Sequence, residues 1–543
     1  MPKVTINGKE VEVEPGTTIM LAAQKLGINI PHYCWHPDLS IAGNCRMCLV
    51  HVEKMPKLVT ACSTPVADGM VVTTDSPQVK EGVRGVLELM LVNHPIDCPV
   101  CDQAGECGLQ DYYMTYGLHD SHVSLEEKVR KRKVIDLGPM VVLDTERCIL
   151  CSRCIRFQEE VSGARELQFF GRGDHVEIGT FQDRPLTDPY SGNVVDICPV
   201  GALTSKDFRF KMRVWFLKSN DSICPGCSTG CNLRVDHRNG IIYRLIPRRN
   251  VDVNASWLCD EGRMSFKSLG RGKRLVKTMV RQNGKGLVEV NRKDAYLEVV
   301  RNLENISNQR GPNSIAAIAS AMATNETLYL FKRFMQEVVG SSLIDFRTDD
   351  SYKLVRERED KVLRRLDKHP NSQGALDLGL VSEELGGLAG AIEAAKAGKI
   401  RALVMLFIPQ MVREESAQVY QAISELLTLV EFSAVLTTHE IEAFAGADVL
   451  LPVAAWSEED GTYTNYDRRV QLLNRAILPP GDARAGWEVF ATLARISGKD
   501  LGFEHAGDVF ARLAAETPGY NGLTHAAVGK LGVKLQQKAI GGS

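Results

Sequence analysis

Fifteen cysteines are crowded into the first half of this 543-residue chain, and the last of them is Cys259. Clustered cysteines in a reducing compartment are typical of metal ligands, and an odd number argues against a closed disulfide framework. Their spacing separates them into four groups, here called the first, second, third and fourth sites. The groups are Cys34, Cys45, Cys48 and Cys62; Cys98, Cys101 and Cys107; Cys148, Cys151, Cys154 and Cys198; and Cys224, Cys227, Cys231 and Cys259.

The first site offers four thiolates on a loop, which suits a 2Fe-2S cluster, although the spacing differs from the plant-type run. A Rieske-like set is a local competitor, because His36 and His51 lie near Cys34 and Cys48. That alternative leaves the other two cysteines of the site without a role. A zinc site is the second alternative.

The third site opens with "CILCSRCIRF", three cysteines at two-residue gaps, and a Cys-Pro pair follows only at Cys198. This is the pattern of a bacterial ferredoxin run whose fourth cysteine lies elsewhere in the chain. Only one full run is present, so the pattern predicts a single 4Fe-4S cluster with Cys198 as its remote fourth ligand. Zinc is again the alternative.

The fourth site begins with "CPGCSTGC" and is completed by the distant Cys259. Between them, Asn239-Gly240 predicts a tight turn between two strands. Two antiparallel strands would bring Cys259 back beside the triplet, which predicts a second 4Fe-4S cluster. A ribbon-type zinc site has similar spacing.

The second site, "VNHPIDCPVCDQAGECGLQD", has three cysteines and therefore lacks one ligand. The other cysteines are all assigned, and His94 stands four positions before Cys98. We therefore predict a 4Fe-4S cluster bound by His94 and three thiolates, with a Cys3His zinc site as the alternative. The four sites together predict about 14 iron atoms per chain. A neutral imidazole in place of a thiolate is expected to raise the potential of this cluster and to couple it to pH.

The elements around these cysteines predict a small mixed domain at the N-terminus. Apolar residues alternate on either side of Asn7-Gly8, which indicates a hairpin, and a helix capped by Gly27 follows. Further strands surround the cysteine loop, as in a grasp-like ferredoxin. A second helix, with Val79, Val83, Val86 and Met90 at helical spacing, is expected to end near residue 93 because Pro95 disfavours helical geometry at His94.

The second half of the chain alternates apolar strands such as "SIAAIAS", "IRALVMLF" and "ADVLLPV" with helical stretches. That alternation predicts a parallel α/β layered domain. On its residue types alone, "GTYTN" (461–465) would be a polar loop.

Composition excludes several classes of function. The 65 basic and 67 acidic residues nearly balance, so nothing indicates nucleic-acid binding. We expect no membrane span and no N-terminal leader, because the longest apolar run is short. The chain has neither a G-x-G-x-x-G motif after a strand nor a P-loop, so we expect no NAD or FMN on it.

The order of the four sites, with His94-x3-Cys98-x2-Cys101-x5-Cys107, resembles the large iron–sulfur subunit of respiratory complex I, the G subunit of bacterial NADH–quinone oxidoreductase. The resemblance implies the cluster types given above, including the His/Cys3 set. It implies electron relay from a flavin- and NADH-binding subunit toward quinone, in the order first, third and second site, with the fourth off the main path. It also implies iron–sulfur partner subunits and a place in the peripheral arm on the cytoplasmic side of the bacterial inner membrane.

The region from about 275 to 543 contains "TNETLYLFKRFMQEVVGSS" and "ARAGWEVFATLA" and is entered through "LCDEGR" and "GKRLVKTMVRQNG". On these segments it resembles a shortened molybdopterin-oxidoreductase domain, in which the charge-rich stretch 349–374 looks like a bridge over missing material. Active members commonly carry lysine at the position of Glu261 and bring a cysteine, selenocysteine or serine to the metal, whereas no cysteine follows Cys259 here. We therefore expect a catalytically empty scaffold without molybdopterin. Alternative functions are a relay subunit of a soluble NAD-linked hydrogenase or formate dehydrogenase, a molybdenum-dependent dehydrogenase, and a zinc-stabilised scaffold.

The predicted fold class is therefore α+β iron–sulfur domains at the N-terminus followed by an α/β molybdopterin-oxidoreductase-like domain. The α+β part comprises a β-grasp ferredoxin, a helical His/Cys3 segment, a ferredoxin-like segment and a ribbon-like segment. The predicted domains are 1–78, 79–122, 139–212, 213–272 and 273–543.

Overall fold

The fold is taken from a computed structural model that describes residues 1–117, 122–282, 284–413 and 415–536. The chain forms two compact units, Met1–Leu217 and Lys218–Ser543, here called unit 1 and unit 2. This boundary lies close to the predicted one after residue 212, and the finer division into five domains stays a prediction. The predicted domains 79–122 and 273–543 each include residues outside the described ranges.

Unit 1 is built from short strands and helices separated by the cysteine loops. Its strands are β1 (Lys3–Ile6), β2 (Lys9–Glu12), β3 (Leu49–Val52), β4 (Val59–Thr60), β5 (Met70–Thr73), β6 (Ile135–Asp136), β7 (Val141–Leu143), β8 (Leu167–Phe170), β9 (Glu177–Thr180) and β10 (Leu203–Ser205). Its α-helices are α1 (Ile19–Lys25), α2 (Pro77–Leu91), α3 (Gly108–Tyr116), α4 (Arg153–Phe157) and α5 (Asn193–Asp196).

The N-terminal sheet has the strand order β2-β1-β5-β3-β4, with β1 antiparallel to β2 and parallel to β5. Asn7 and Gly8 both have positive φ, 49° and 78°, which is the geometry that a two-residue hairpin turn requires. Helix α1 buries Ile19 and Met20 in the apolar core that the sheet shares. The predicted hairpin, helix and mixed sheet are therefore confirmed.

Helix α2 leads into the second site and ends where the sequence predicts. The Ser76 hydroxyl caps its first turn by accepting a hydrogen bond from the Val79 amide at 3.3 Å. The helix buries Val79, Val83 and Leu87, while Val86 and Met90 are partly buried and Leu89 is exposed. Because its last residue is Leu91, the chain leaves the helix just before His94.

Unit 2 starts with an antiparallel sheet and continues into a layered α/β domain. Its strands are β11 (Lys218–Ile223), β12 (Asn232–Arg238), β13 (Ile241–Pro247), β14 (Lys273–Arg274), β15 (Met279–Gln282), β16 (Gly286–Glu289), β17 (Ile315–Ile318), β18 (Ile344–Asp345), β19 (Ala402–Phe407), β20 (Phe432–Thr437), β21 (His439–Glu440), β22 (Val449–Pro452), β23 (Gly461–Thr464), β24 (Arg469–Leu473) and β25 (Val533–Lys534). Its α-helices are α6 (Asp260–Met264), α7 (Arg292–Arg310), α8 (Asn325–Arg333), α9 (Ser372–Asp377), α10 (Gly387–Lys396), α11 (Ala417–Leu429), α12 (Gly486–Ile496), α13 (Ala506–Glu516) and α14 (His525–Val528).

The central sheet of unit 2 has the order β16-β15-β22-β20-β19-β17-β18. The run from β22 to β18 is parallel, and β19 and β20 are buried along their whole length. Burial on both faces explains why these strands are continuous apolar runs. The predicted α/β layer is confirmed. None of the helices in the described ranges combines the length and the apolar character that crossing a membrane requires.

The prediction of a polar loop at "GTYTN" is wrong, because these residues form the buried strand β23. Residues of α8 form hydrogen bonds with the polar groups of this strand. The Asn325 amide donates to the hydroxyls of Thr462 and Thr464, each at 3.0 Å, and the Glu326 carboxylate accepts from the Thr462 amide at 2.8 Å. Polar residues can therefore fill this part of the core, since each finds a partner on the neighbouring element.

The charge-rich stretch 349–374 packs into unit 2. Asp367 and Lys368 are buried, and the Asp367 carbonyl accepts a hydrogen bond from the Ser228 amide at 3.1 Å. The Ser228 hydroxyl donates to the Val355 carbonyl at 2.7 Å. The stretch therefore lies against the loop that carries the fourth-site triplet.

His369 in this stretch should make unit 2 less stable at alkaline pH. Burial lowers its pKa, but the hydrogen bond to Asp367 at 3.0 Å and the charges of Glu415 and Asp349 raise the pKa to about 9. A histidine whose pKa is raised on folding stabilises the protein below its unfolded pKa of about 6.5, and this stabilisation is lost as the pH rises through the folded pKa.

The predicted loss is on the order of 2–3 kcal/mol between about pH 6 and pH 9.5. His369→Gln should remove that difference, as measured by chemical denaturation at the two pH values. An equal pH dependence in the wild-type chain and the variant would contradict the assignment.

Candidate metal centres

The first site brings its four thiols together in two pairs. The Cys34 amide donates to the Cys45 sulfur at 3.4 Å, and a hydrogen bond with the Cys45 thiol lowers the pKa of Cys34 to about 5. Cys48 pairs in the same way with Cys62, whose pKa the Cys48 thiol lowers. All four side chains are buried. The loop between α1 and β3 and the turn after β4 therefore converge on one set of sulfur ligands.

The second site lies between α2 and α3. Cys98 starts a 3₁₀ turn, Cys98–Val100, and Cys107 is the N-cap residue of α3. Burial raises the pKa of Cys101, and it raises the pKa of Cys107 to about 11. Each of these two thiols also experiences the charge of Cys98. The three predicted cysteines are thus neighbours.

His94 lies at the end of α2 with its ring in a defined position. The ring Nδ1 accepts from the Ile96 amide at 3.1 Å, and the His94 carbonyl accepts from Lys128 at 2.9 Å. Burial lowers the pKa of His94 to about 4, so the imidazole is neutral near pH 7, as a metal ligand must be. Within the described ranges it makes no hydrogen bond to the three thiols, and its role as a ligand stays a prediction.

The third site is shaped by a tight loop and two short helices. Leu150 and Ser152 have positive φ, 55° and 64°, and the Leu150 amide donates to the Cys148 sulfur at 3.4 Å. Cys154 lies in α4, and Cys198 follows α5. Burial raises the pKa of all four thiols, to about 12 for Cys148 and about 11 for Cys151.

The second and third sites share a segment of chain. The Gly108 amide, next to Cys107, donates to the Pro199 carbonyl at 3.1 Å, and Pro199 follows Cys198. A Cβ atom on Gly201 would clash with the Cys101 sulfur. The loop after the third-site Cys-Pro therefore forms part of the wall of the second site.

The fourth-site cysteines lie before and after an antiparallel strand pair in the chain. The β12–β13 hairpin turns at Asn239 and Gly240, both with positive φ, and returns the chain to Cys259 at the start of α6. The Gly262 amide donates to the Cys259 sulfur at 3.3 Å. A Cβ atom on Gly262 would lie 2.9 Å from the Cys224 sulfur, so only glycine fits between the two ligands.

These observations test whether the residues fit iron–sulfur clusters. All 15 cysteines are free, and 12 of them are fully buried. Backbone amides donate to sulfurs in the first, third and fourth sites, and such bonds stabilise thiolates that carry iron. The sulfur donors at these sites therefore fit iron–sulfur clusters. In the described part of the chain, no group of three or more Cys, His, Asp or Glu side chains is placed to hold a single metal ion.

Beside the fourth site, Glu261 lies within an ion-pair network. Its carboxylate is 3.0 Å from Arg364, 3.5 Å from Lys368 and 3.5 Å from Arg413. Glu359 pairs with the same three cations. Two carboxylates thus pair with three cations at the position where the resemblance implies a lysine in active enzymes.

Glu261→Lys is expected to destabilise unit 2 by about 1–3 kcal/mol, because it places a fourth cation among three and leaves one carboxylate to balance them. Glu261→Gln is the matched control. It removes the charge without adding another and should cost no more than about 1 kcal/mol, since the Glu261 side chain is 32% exposed. Denaturant unfolding measures both, and equal effects of the two variants would contradict the network's role.

Several residues of these sites are absent from the sequence-based prediction. Arg147, Arg153 and Arg156 contact the ligand loops, and Asp97 pairs with Arg147. Tyr33 is fully buried beside Cys107, and its hydroxyl has no hydrogen-bond partner among the described residues. The available signal was that charged residues stand inside the cysteine motifs, as in "CSRCIRF".

Comparison with protein families matches almost every segment of the chain. The matching models are 2Fe-2S iron–sulfur cluster binding domain (2–77), NADH-ubiquinone oxidoreductase-G iron–sulfur binding region (84–122), NADH-quinone oxidoreductase subunit 3, ferredoxin-like domain (138–204), Molybdopterin oxidoreductase Fe4S4 domain (217–270) and Molybdopterin oxidoreductase (274–356 and 356–496).

Individual proteins match over nearly the whole chain. The NADH-quinone oxidoreductase G subunit of Rickettsia conorii is 31% identical over 622 residues, covering 95% of this chain and 90% of that protein. The mitochondrial NADH-ubiquinone oxidoreductase 78 kDa subunit of Candida albicans is 32% identical, with 95% and 85% covered. A solved NAD+-reducing [NiFe]-hydrogenase is 30% identical over 39% of this chain and 91% of the matched hydrogenase chain. Its TM-score of 0.36 is too low to support an argument.

Proposed function

The chain belongs to the family of NADH-quinone oxidoreductase G subunits, and on that premise we propose that it is the electron-relay subunit of a proton-translocating NADH–quinone oxidoreductase. It would hold one 2Fe-2S cluster at the first site and 4Fe-4S clusters at the other three. When bound, these clusters supply reversible one-electron reduction. We infer no active site for NADH or quinone on this chain.

One observation supports this function above the others, namely that the ligand loops of the first three sites touch one another. The Gly108 amide beside the second site bonds to Pro199 beside the third, and Arg156 donates to the carbonyl of Cys34. A relay requires neighbouring redox groups at short range, whereas isolated structural metal sites have no such requirement.

The chain's own residues provide the surroundings that electron relay requires. The first site is fully buried, which excludes water, and backbone amides donate to its sulfurs as they do at the third and fourth sites. Burial and hydrogen bonds to sulfur are the levers by which a protein sets the potential of a cluster.

Unit 2 beyond the fourth site would serve as a scaffold without molybdopterin. The position of Glu261 beside the fourth site holds a neutralising carboxylate, and no cysteine follows Cys259. The partners would be a flavin- and NADH-binding subunit and further iron–sulfur subunits. The chain would lie in the peripheral arm, on the cytoplasmic side of the bacterial inner membrane.

Affinity purification of the tagged full-length chain from its own cells tests this function. The expected result is co-purification with a flavin subunit and with membrane subunits, and NADH should reduce the clusters of the assembled complex but not those of the isolated chain. Co-purification with a hydrogenase or a formate dehydrogenase, without membrane subunits, would contradict it.

A further inference from the structure

Two arginines of α4 connect the third site to the first. Arg153 donates to the Trp35 carbonyl at 2.6 Å and to the Ile197 carbonyl at 3.1 Å. Trp35 follows the first-site ligand Cys34, and Ile197 precedes a third-site ligand. One guanidinium therefore joins a ligand loop of the first site to a ligand loop of the third.

Arg156, one turn further along α4, makes the same kind of link. Its guanidinium donates to the carbonyls of Cys34 and Ser40, both on the first-site loop. Cys154 of the third site lies in the same short helix. Arg156 is 8% exposed, so its charge lies in the interior of unit 1.

These two cations, Arg156 buried and Arg153 partly buried, lack the usual counter-ion. Among the residues that the structure describes, neither arginine forms an ion pair with a carboxylate, and both are held by carbonyl oxygens alone apart from the Ser152 hydroxyl. The Arg153 Nε has no partner in the described part of the chain. Burying a charge is costly unless an opposite charge compensates it.

The nearby anions are the sulfur ligands of both sites. Burial lowers the pKa of Arg153, and the charges of Cys151, Cys198 and Cys34 act in the opposite direction. In turn, Arg156 lowers the pKa of Cys34. The compensating charge for the two arginines is thus the negative charge of the thiolates and of what they bind.

We propose that Arg153 and Arg156 are positioning residues that act as one shared counter-cation for the first and third sites and raise the reduction potential at both. The proposal rests on the proposed function, since it requires redox clusters at these sites. A fixed positive charge favours the reduced, more negative state of a neighbouring group. Because the two arginines bind loops of the first and third sites, they should raise the reduction potentials at these two sites and leave those of the second and fourth unchanged.

Redox-titrated EPR of the full-length chain carrying R153Q or R156Q tests this proposal. The midpoint potentials of the first-site and third-site clusters should both move to more negative values, while those of the second and fourth sites stay unchanged. R153K and R156K keep the charge and should remain near the wild-type midpoints. R213Q is the matched control, because Arg213 donates to the carbonyls of Pro99 and Cys101 and should affect only the second site.

Unchanged midpoints at full iron content would overturn the proposal, and so would lysine variants that shift as far as the glutamine variants. If a glutamine variant loads incompletely, loss of iron from the first and third sites alone supports the shared charge, and equal loss from all four sites contradicts it. Absence of reducible signals in the wild-type chain would instead refute the proposed function.

Discussion

Replacement of His94 by alanine is expected to abolish the EPR signal of one 4Fe-4S cluster and to remove up to about four iron atoms from the chain. Three thiols, Cys98, Cys101 and Cys107, lie together between α2 and α3, and they leave one corner of such a cluster without a ligand. His94 stands just past the end of α2 with a pKa lowered to about 4 by burial, so its ring is neutral, as a metal ligand must be.

His94→Cys should keep the iron and lower the potential of that cluster, since a thiolate adds one negative charge where the imidazole was neutral. His51→Ala is the matched control, because His51 lies on β3 near the first site and belongs only to the Rieske-like alternative. If His94→Ala leaves iron content and the EPR signals intact, His94 is not a ligand.

Arg147→Met is expected to destabilise unit 1 by about 2–4 kcal/mol, because it leaves the buried Asp144 carboxylate and the partly buried Asp97 carboxylate without their cation. The Arg147 Nε donates to Asp97 at 3.0 Å, and the guanidinium also lies 3.4 Å from Asp144. The side chains of Arg147 and Asp144 are only 7% and 5% exposed. The Arg147–Asp97 pair joins the second site to the third, because Asp97 precedes Cys98 and Arg147 precedes Cys148.

Thermal unfolding of the full chain measures the effect, and Arg132→Met is the matched control. Arg132 also pairs with two carboxylates, Glu177 and Asp183, but its side chain is 47% exposed. The control should cost no more than about 1 kcal/mol. Equal losses in the two variants would show that the burial of the Arg147 pair contributes nothing.

The ion pair between Arg147 and Asp97 also makes the stability of unit 1 depend on pH in the acid range. Burial raises the pKa of Asp97, but hydrogen bonds from Arg147 outweigh it and hold the pKa below its usual value. A carboxylate with a lowered pKa stabilises the fold above its unfolded pKa of about 3.9, and this stabilisation is lost as the pH falls through the folded pKa. Arg147→Met should therefore flatten the acid limb of the stability curve of unit 1.

Local signals predicted the features that depend on a few neighbouring residues. The Asn7-Gly8 and Asn239-Gly240 turns require positive φ, which these residue types tolerate, and both hairpins are present. The end of α2 before His94-Pro95 follows from the geometry that proline imposes. The strand pair predicted around Asn239-Gly240 also brings Cys259 back beside the fourth-site triplet.

Features that depend on distant partners were not predictable in this way. The residue types of "GTYTN" suggest an exposed polar loop. The segment is instead a buried strand, because Asn325 and Glu326, more than 130 positions earlier in the chain, form hydrogen bonds with it. Arg153 and Arg156 were missed for the same reason, because they bind carbonyls of the first-site loop that lie 116 to 122 positions earlier in the chain. Sequence patterns indicate which ligands are present, whereas the charges that surround them are set by tertiary packing.

The central claim is that this chain carries a set of redox clusters, and metal analysis combined with redox-titrated EPR of the intact chain tests it most directly. The account predicts about 14 iron atoms per chain, with reducible signals from one 2Fe-2S and three 4Fe-4S clusters. Stoichiometric zinc without a reducible EPR signal would contradict it. One molybdenum or tungsten atom per chain would contradict the proposal that unit 2 is a scaffold.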